Sequence, residues 1–364
     1  MKSILVTGGA GFIGSHLVDE LLEHGYDVRV LDGLIEQVHG LVERPPDLSP
    51  HAELHVGDVQ DADAVRKALE GVDAVVHLAA RVGVGQSMYE ITQYTGSNSY
   101  GTAVLLQELL DRPVQKLLVA SSMSIYGEGA TKPVEAVERR REDLEGRRFE
   151  PRGAQGQDLT PIPTPETKRP ANSSVYALTK YDQERLCLIF GEAYSVPTIA
   201  LRFFNVYGPR QALSNPYTGV LAIFAARLLN GRRPLVFEDG GQRRDFVNVA
   251  DVTRACRLAL EQDRADGRSI NVASGESVTV TEIARKLASV LGVDLEPELT
   301  GRFRAGDIRH CFADITLARD LLGYSPSVEL EQGMGELAQW LETQSAEDRV
   351  DHATQELLSR GLAR

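Results

Sequence analysis

The chain has 364 residues, 42% hydrophobic and 25% charged, more than the ~250 to 300 at which one core stops growing, which implies one large domain with an appended lobe, or two domains. Its net charge of -13 argues against a general nucleic-acid surface, because phosphate backbones require basic faces; an anionic ligand has to meet locally placed arginines. No apolar run approaches the ~20 residues of a membrane helix, and the N-terminus lacks an apolar stretch ending in a cleavage site, so the expectation is a cytoplasmic protein without a membrane partner.

In chain order, short β-branched runs alternate with amphipathic helical stretches through the first two hundred residues, the pattern of an α/β fold with a parallel sheet covered by helices on both faces. The runs SILVTG from Ser3, DVRVLD from Asp27, ELHVGD from Glu53, AVVHLAA from Ala74, KLLVASS from Lys116 and TIALRFFNV from Thr198 read as strands, and SINVAS from Ser269 as a seventh. Their near-continuous apolar character fits strands buried on both faces. After the fifth lies an irregular excursion, Glu128 to Ser173, whose charges and prolines predict a surface loop or lid with one short helix; its ERRRED run reads as a solvated face. Beyond Tyr207 the expectation is a smaller lobe: a helix near Pro216 to Asn230, a hairpin in PLVFEDGGQRRDFVNV, and helices near Ala250 and Val280. From about Ser345 the pattern fits an amphipathic helix or a tail. The widely spaced Cys187, Cys256 and Cys311 make neither a disulfide framework nor a Cys-x-x-Cys site and read as small buried hydrophobes; no metal is expected.

The first strand runs into VTGGAGFIGSHL, where Gly8, Gly11 and Gly14 stand in G-x-x-G-x-x-G spacing at a strand-to-helix junction. Glycines there permit a tight turn and the close approach of a pyrophosphate, whose charge sits on the helix N-terminus. Asp32 ends the second strand, 18 residues after Gly14, and is followed by Gly33 and not by an arginine. A carboxylate at that place accepts both ribose hydroxyls and repels a 2′-phosphate, which selects NAD over NADP. The expected architecture is a Rossmann-type doubly wound sheet of about seven strands, with Asp58 and Val59 meeting the adenine and Leu78, Ala79 and Ala80 lining the cofactor's path. Residues 1–207 are then mainly the NAD-binding domain, with the insert at 128–173. Residues 208–344 are mainly a ligand-binding lobe, from which a strand near 269–274 returns to the sheet, and 345–364 are the C-terminal helix or tail.

SSVYALTK puts Tyr176 and Lys180 four residues apart, about one helical turn, after a Pro- and Ser-rich segment where a helix can start. A fixed cation beside a phenol favours the phenolate and lowers its pKa from about 10. Alone, the pair also fits a packed tyrosine beside a solvated lysine. Beside a hydride acceptor it supplies a base for an alcohol proton, and ASSMSIYG at the end of the fifth strand adds Ser122 as a hydroxyl to hold the same oxygen.

The ordered series TGGAGFIG, LD at Asp32, GDV, HLAA, NSYGT, SSMSIYG, YALTK, RFFNVYGPR, RRDFVNVADV and RAGDIR, spanning Met1 to about Pro326, resembles the extended short-chain dehydrogenase/reductases, specifically their nucleotide-sugar epimerases and dehydratases. The resemblance implies Ser122 as the catalytic hydroxyl, Tyr176 as general base, and Lys180 as the group that binds the nicotinamide ribose and lowers the tyrosine pKa. It implies NAD contacts from Gly8, Gly11, Phe12, Ile13, Gly14, Asp32, Asp58, Val59, Leu78, Ala79, Ala80, Asn98, Tyr176 and Lys180. For a nucleotide-sugar substrate it implies Asn205, Arg244 and Arg304 at the diphosphate, with Val220, Val236, Phe237 and Asp307 also in the lobe. Ser122 and Tyr176 hold the reacting centre, with Val84, Gln86 and Ser87 along the sugar. A homodimer built on the helices near Asn98 and Tyr176 is implied as well.

Dehydratases of this family carry an Asp-Glu pair directly after the catalytic hydroxyl, and the related decarboxylases a Glu; here Met123 and Ser124 stand there. Without that acid, elimination lacks its catalyst, which leaves oxidation followed by return of the hydride: 4-epimerisation through a 4-keto sugar. RVGVGQSMYEITQY, the segment from GPRQALSNPYTGV to GGQRRDF, and the insert ending PIPTPE resemble the dTDP-L-rhamnose 4-epimerase branch, and apolar Val82 to Val84 suit a deoxysugar methyl. Where some relatives carry a Cys pair in the insert this chain reads RGAQGQ, so no metal-bound loop is expected. UDP-hexose, UDP-uronate or UDP-pentose 4-epimerases and a 4-ketoreductase are the alternatives within this chemistry. A non-catalytic dinucleotide sensor, binding partners through the charged insert, is the alternative outside it.

Overall fold

The computed structural model describes residues 1–40, 43–211, 219–304, 306–342, 344 and 350–364. Seven strands, β1 (Ser3–Thr7), β2 (Asp27–Asp32), β3 (Glu53–Val56), β4 (Ala74–His77), β5 (Lys116–Ser122), β6 (Thr198–Phe203) and β7 (Ser269–Val272), form one sheet in the order β7-β6-β5-β4-β1-β2-β3. Every pairing in it is parallel. The chain runs outward from β1 to β3, returns to β4 on the other side of β1, and runs outward again. That reversal between β1 and β4 leaves a crevice at the C-terminal strand ends, where open α/β sheets bind ligands. The helices used below are α1 (Phe12–Glu23), α2 (Gly101–Asp111), α3 (Val175–Tyr194), α4 (Val220–Leu229), α5 (Val249–Glu261), α6 (Val280–Val290), α7 (Leu330–Leu341) and α8 (Val350–Ser359).

Alternate residues of the inner strands feed two cores. Ile4 and Val6 pack with Leu17 and Leu21 of α1 and Val252 and Ala255 of α5, whereas Leu5 packs with Leu105 and Leu109 of α2 and Cys187 and Phe190 of α3. Each fully buried aliphatic side chain is worth about 1.5–3 kcal/mol, and a strand that spends both faces this way reads as an unbroken apolar run. Glu184 clamps α3 onto three strands: its carboxylate accepts from Arg202 of β6 at 2.6 Å, Ser121 of β5 at 2.6 Å and Ser269 of β7 at 2.9 Å. Cys187, Cys256 and Cys311 are all buried, as small hydrophobes are.

A third core gathers Leu221 and Phe224 of α4, Ile283 and Leu287 of α6, and Met334 and Leu337 of α7. The expected hairpin is not formed there. Leu235–Val236 pairs with Glu298–Leu299, Arg243–Arg244 lies between Val278–Thr279 and His310–Cys311, and Phe246–Asn248 pairs with Asn205–Tyr207. The Asp239-Gly240-Gly241 turn signal is real, yet each flanking run pairs with a strand from elsewhere in the chain. Asp245 fixes this arrangement by accepting from Ser274 N at 2.8 Å, Ser274 Oγ at 2.7 Å and Gly275 N at 3.0 Å. The expected Pro216–Asn230 helix is Val220–Leu229, and Pro216 itself lies outside the described residues. β7 does return to the main sheet, and so does α5, which packs on the sheet although it follows the smaller lobe's first helix.

The insert is not a free lid. Arg139, within ERRRED, has a side chain only 6% exposed that pairs with Glu238 at 2.7 Å and Glu128 at 3.1 Å, while only Arg140 and Arg141 of that run are exposed arginines. Glu150 pairs with Arg309 at 2.6 Å and His310 at 2.8 Å, and Leu144 and Phe149 pack with Phe303. The one short helix spans Arg141–Glu145. Among the described residues no helix is long and apolar enough to cross a membrane.

Candidate active site

The strand ends open into a cavity of about 820 Å³. At one end lies the glycine turn between β1 and α1. Gly8 has φ +71°, where L side chains are strained, and a Cβ on it would stand 2.8 Å from Ala79 N. A Cβ on Gly14 would stand 2.2 Å from Gly8 O, so the turn closes only with glycine at both positions. Gly11 is the N-cap of α1 and offers no side chain to its first N–H groups, and the first turn carries no acid. Those donors are open to an anion.

Asp32, buried at the end of β2, accepts from Ala10 N and Leu34 N, both at 3.0 Å, and its carboxylate lies 3.5 Å from the His39 imidazole. It lines the cavity together with Phe12, Ile13, Asp58, Val59, Leu78, Ala79 and Ala80. Asp58 is exposed and caps its own turn by accepting from Gln60 N at 2.9 Å.

Ser174 caps α3 by accepting from Ala177 N at 3.1 Å, an interaction worth about 1 kcal/mol. The helix then starts with Tyr176 and Lys180 facing the cavity beside Ser122 from the end of β5. Burial raises the pKa of Tyr176, and a hydrogen bond with Ser122 pulls it the other way. Burial lowers Lys180 to about 7, against the pull of Cys187 and Glu184. The lowering of the tyrosine pKa by Lys180 is not built into this arrangement: the Lys180 Nζ donates to Gln183 Oε1 at 2.6 Å. Gln183 in turn donates to Thr102 Oγ1 at 2.8 Å and contacts His77 Nε2 at 3.1 Å, which anchors the lysine's partner to β4 and α2. His77 is held near 3 by burial and by the Lys180 charge, so it is neutral at working pH.

At the far end Arg244 and Arg304 line the cavity with Asp307 between them. Arg304 pairs with Asp307 at 3.0 Å and stacks 4.5 Å from the Phe237 ring centroid. Burial works to raise Asp307, but Arg304, Arg244 and Arg139 hold it below the usual carboxylate range. Arg244 is fixed by donating to the carbonyls of Arg309 at 3.0 Å and Ile308. Asn205, Val220 and Phe237 line the same region, and Asn205 Oδ1 is buried without a protein partner.

Four expected contact residues do not face the cavity. Gln86 is buried against Gln37 at 3.2 Å and Glu90 at 3.0 Å; Ser87 accepts from Tyr176 N at 3.0 Å and so positions the start of α3. The turn Val84–Ser87 rotates both inward and leaves Val84 and Gly85 on the cavity side. Val236 points into the lobe's core, because strand alternation gives the cavity its neighbours Leu235 and Phe237. Asn98 is fully buried, accepting from Arg81 N at 2.7 Å and donating to Thr179 Oγ1 at 3.0 Å; it braces the loop after β4 against α3. Conversely, His39, Arg210 and three residues of α8, Ala353, Thr354 and Leu357, line the cavity unforeseen. Arg210 stood in the quoted RFFNVYGPR motif; α8 offered only an amphipathic pattern, which names a buried face and not what covers it.

A family model described as the NAD dependent epimerase/dehydratase family matches residues 4–273. The chain belongs to that family. It is 35% identical to the dTDP-L-rhamnose 4-epimerase of Burkholderia thailandensis, over 93% of this chain and 95% of that one. The crystal structure of Thermotoga maritima UDP-glucose 4-epimerase with UDP-glucose matches with a TM-score of 0.78 at 33% identity, covering 93% of this chain and 98% of that one. Thermus thermophilus UDP-glucose 4-epimerase, solved with NAD, matches at 0.76 and 29%, covering 94% and 100%. This epimerase/dehydratase-family enzyme takes NAD as its cofactor. Its residues fit that group: the glycine cradle fills on addition of any Cβ at Gly14, and buried Asp32 lines the cavity next to it.

Proposed function

We propose that the protein is a nucleotide-sugar 4-epimerase that interconverts dTDP-L-rhamnose and its C4 epimer dTDP-6-deoxy-L-talose. The observation that carries the reaction is the Ser122–Tyr176 pair, hydrogen-bonded and beside Lys180, followed by Met123 and Ser124 where an elimination would need a carboxylate. Met123 is buried in an apolar cluster, and Ser124 spends its N–H on Ser122 Oγ at 3.2 Å. The substrate assignment is supported by the relative from Burkholderia thailandensis and by the apolar Val82 and Val84 on the cavity wall.

Bound NAD supplies a reversible hydride acceptor at C4 of the sugar. Tyr176 takes the C4 hydroxyl proton and returns it, while Ser122 holds the same oxygen through both halves of the reaction. Because burial raises the tyrosine pKa, proton transfer depends on the Ser122 hydrogen bond that pulls it down, while Lys180 on the same cavity wall serves to hold the nicotinamide ribose. Asn205, Arg244 and Arg304 hold the diphosphate, leaving the 4-keto sugar free to turn over and take the hydride on its other face. Asp32, excluding a 2′-phosphate, keeps NAD in place of NADP. The exposed Tyr100, just before α2, and Leu178, Ile189 and Tyr194 along α3 support a homodimer through these helices.

An NMR time course with dTDP-L-rhamnose, beside UDP-glucose and UDP-glucuronate and without added reductant, tests the reading. A C4 epimer from dTDP-L-rhamnose, absent in Tyr176→Phe, is the expected result. Turnover of a UDP-sugar alone would overturn the substrate, and a requirement for NADPH would overturn the reaction.

A further inference from the structure

The C-terminal segment 350–364 lies across the cavity as a strap between its two sides. On the smaller lobe, Asp351 accepts from Arg227 at 2.7 Å and from Arg232 at 2.9 Å. On the sheet side, the Arg360 guanidinium sits 4.3 Å from the Tyr89 ring centroid. The chain end then exchanges backbone hydrogen bonds with Phe303, at 2.8 and 3.0 Å, next to the cavity-lining Arg304.

Between these anchors α8 turns Ala353, Thr354 and Leu357 into the cavity, each at most 9% exposed, and presents Gln355 and Ser359 to solvent. Leu357 meets Gly85: a Cβ built there would stand 3.4 Å from its Cδ2. Gly85 belongs to the turn whose Ser87 accepts from Tyr176 N at 3.0 Å. Leu357 therefore packs, inside the cavity, on the turn that positions the start of α3, the helix that carries Tyr176.

We propose that Leu357, with Thr354 beside it, is a specificity-determining wall of the sugar site, one that the C-terminal strap adds to the site built by the sheet and the lobe. The proposal rests on the nucleotide-sugar reading above. A leucine packed on glycine, flanked by Val84 and Ala353, offers a methyl a dry contact and leaves a hydroxymethyl or a carboxylate unpaired. It favours a 6-deoxysugar.

The test uses the full-length holoenzyme and three variants: Leu357→Ala, Thr354→Val and, as a control on the solvent face of the same helix, Ser359→Ala. The wild type is first assayed on dTDP- and UDP-sugars, and its best substrate becomes the reference; a UDP-hexose in that place overturns the proposed substrate and the 6-deoxysugar preference together, while the effect of Leu357→Ala on its KM still tests whether the strap walls the sugar site. Losing methyl groups from an apolar pocket changes specificity about tenfold or more. Leu357→Ala is therefore expected to raise KM for the reference sugar at least tenfold and to narrow its preference over the C6-hydroxylated analogue. Affinity for dTDP or UDP alone, bound NAD and melting temperature stay within the range of Ser359→Ala, and Thr354→Val shifts KM in a smaller measure. Unchanged sugar KM in both variants, equal weakening of the free nucleotide, or no turnover of any nucleotide sugar by the wild type would each overturn the proposal.

Discussion

Gly14→Ala probes the cofactor cradle at its tightest point. The new Cβ would stand 2.2 Å from Gly8 O and 2.6 Å from Gly9 Cα, both backbone atoms that no rotamer change can move. Ordinary contact begins at 3.4 Å, so the first turn of α1 has to draw back by about 1.2 Å, the difference between 3.4 and 2.2. Overpacking of this kind costs about 1–3 kcal/mol of stability. The displaced turn carries the open N–H donors, and loss of one hydrogen bond to a charged pyrophosphate costs about 1.5–3 kcal/mol, a weakening of NAD binding of roughly tenfold to 150-fold. Calorimetric titration with NAD and a thermal melt followed by circular dichroism read the two effects separately. A variant that melts with the wild type and binds NAD within twofold of it would refute the idea that this turn is a close-fitting pyrophosphate seat.

Asp32→Asn removes the carboxylate that excludes a 2′-phosphate and is expected to narrow the preference for NAD over NADP by about tenfold or more, measured as relative affinity of the two cofactors. The hydrogen bond from His310, reinforced by Arg309, holds Glu150 at about 2 in the folded chain against 4.5 ordinarily. Its share of stability is therefore present above pH 4.5 and lost as pH falls toward 2, and Glu150→Gln is expected to flatten the melting temperature across that window. Lys180 gives a slope of the same sign in a higher window, as a burial penalty relieved on deprotonation. Between about 7 and its ordinary 10.5 the unfolded chain binds the proton that the folded chain has released, so stability gains with pH there and Lys180→Met removes that gain, measured as melting temperature against pH.

The main sheet was legible because its inner strands bury both faces, so their sequences are nearly apolar throughout. The cradle was legible for a related reason: Gly8 and Gly14 are required by backbone geometry, and geometry of that kind recurs as a spacing. The hairpin was misread because Asp239-Gly240-Gly241 signals a turn locally, whereas the partners of Arg243–Arg244 come from residues 278–279 and 310–311. The same distance hid the insert's attachment, since Arg139 meets Glu238 across 99 residues and Glu150 meets Arg309 across 159. Gln86 and Ser87 look like sugar contacts by type; one turn of helix aims them at Gln37, Glu90 and the backbone of Tyr176 instead.

The central claim, oxidation at C4 and return of the same hydride within one active site, is tested most directly with substrate deuterated at C4. The holoenzyme, given no added cofactor, is expected to form the C4 epimer with the deuterium still at C4 and no exchange with solvent, and Tyr176→Phe to slow this by about 10²- to 10⁴-fold. An epimer that has lost its deuterium, or a product formed only when NADPH is supplied, would contradict the account.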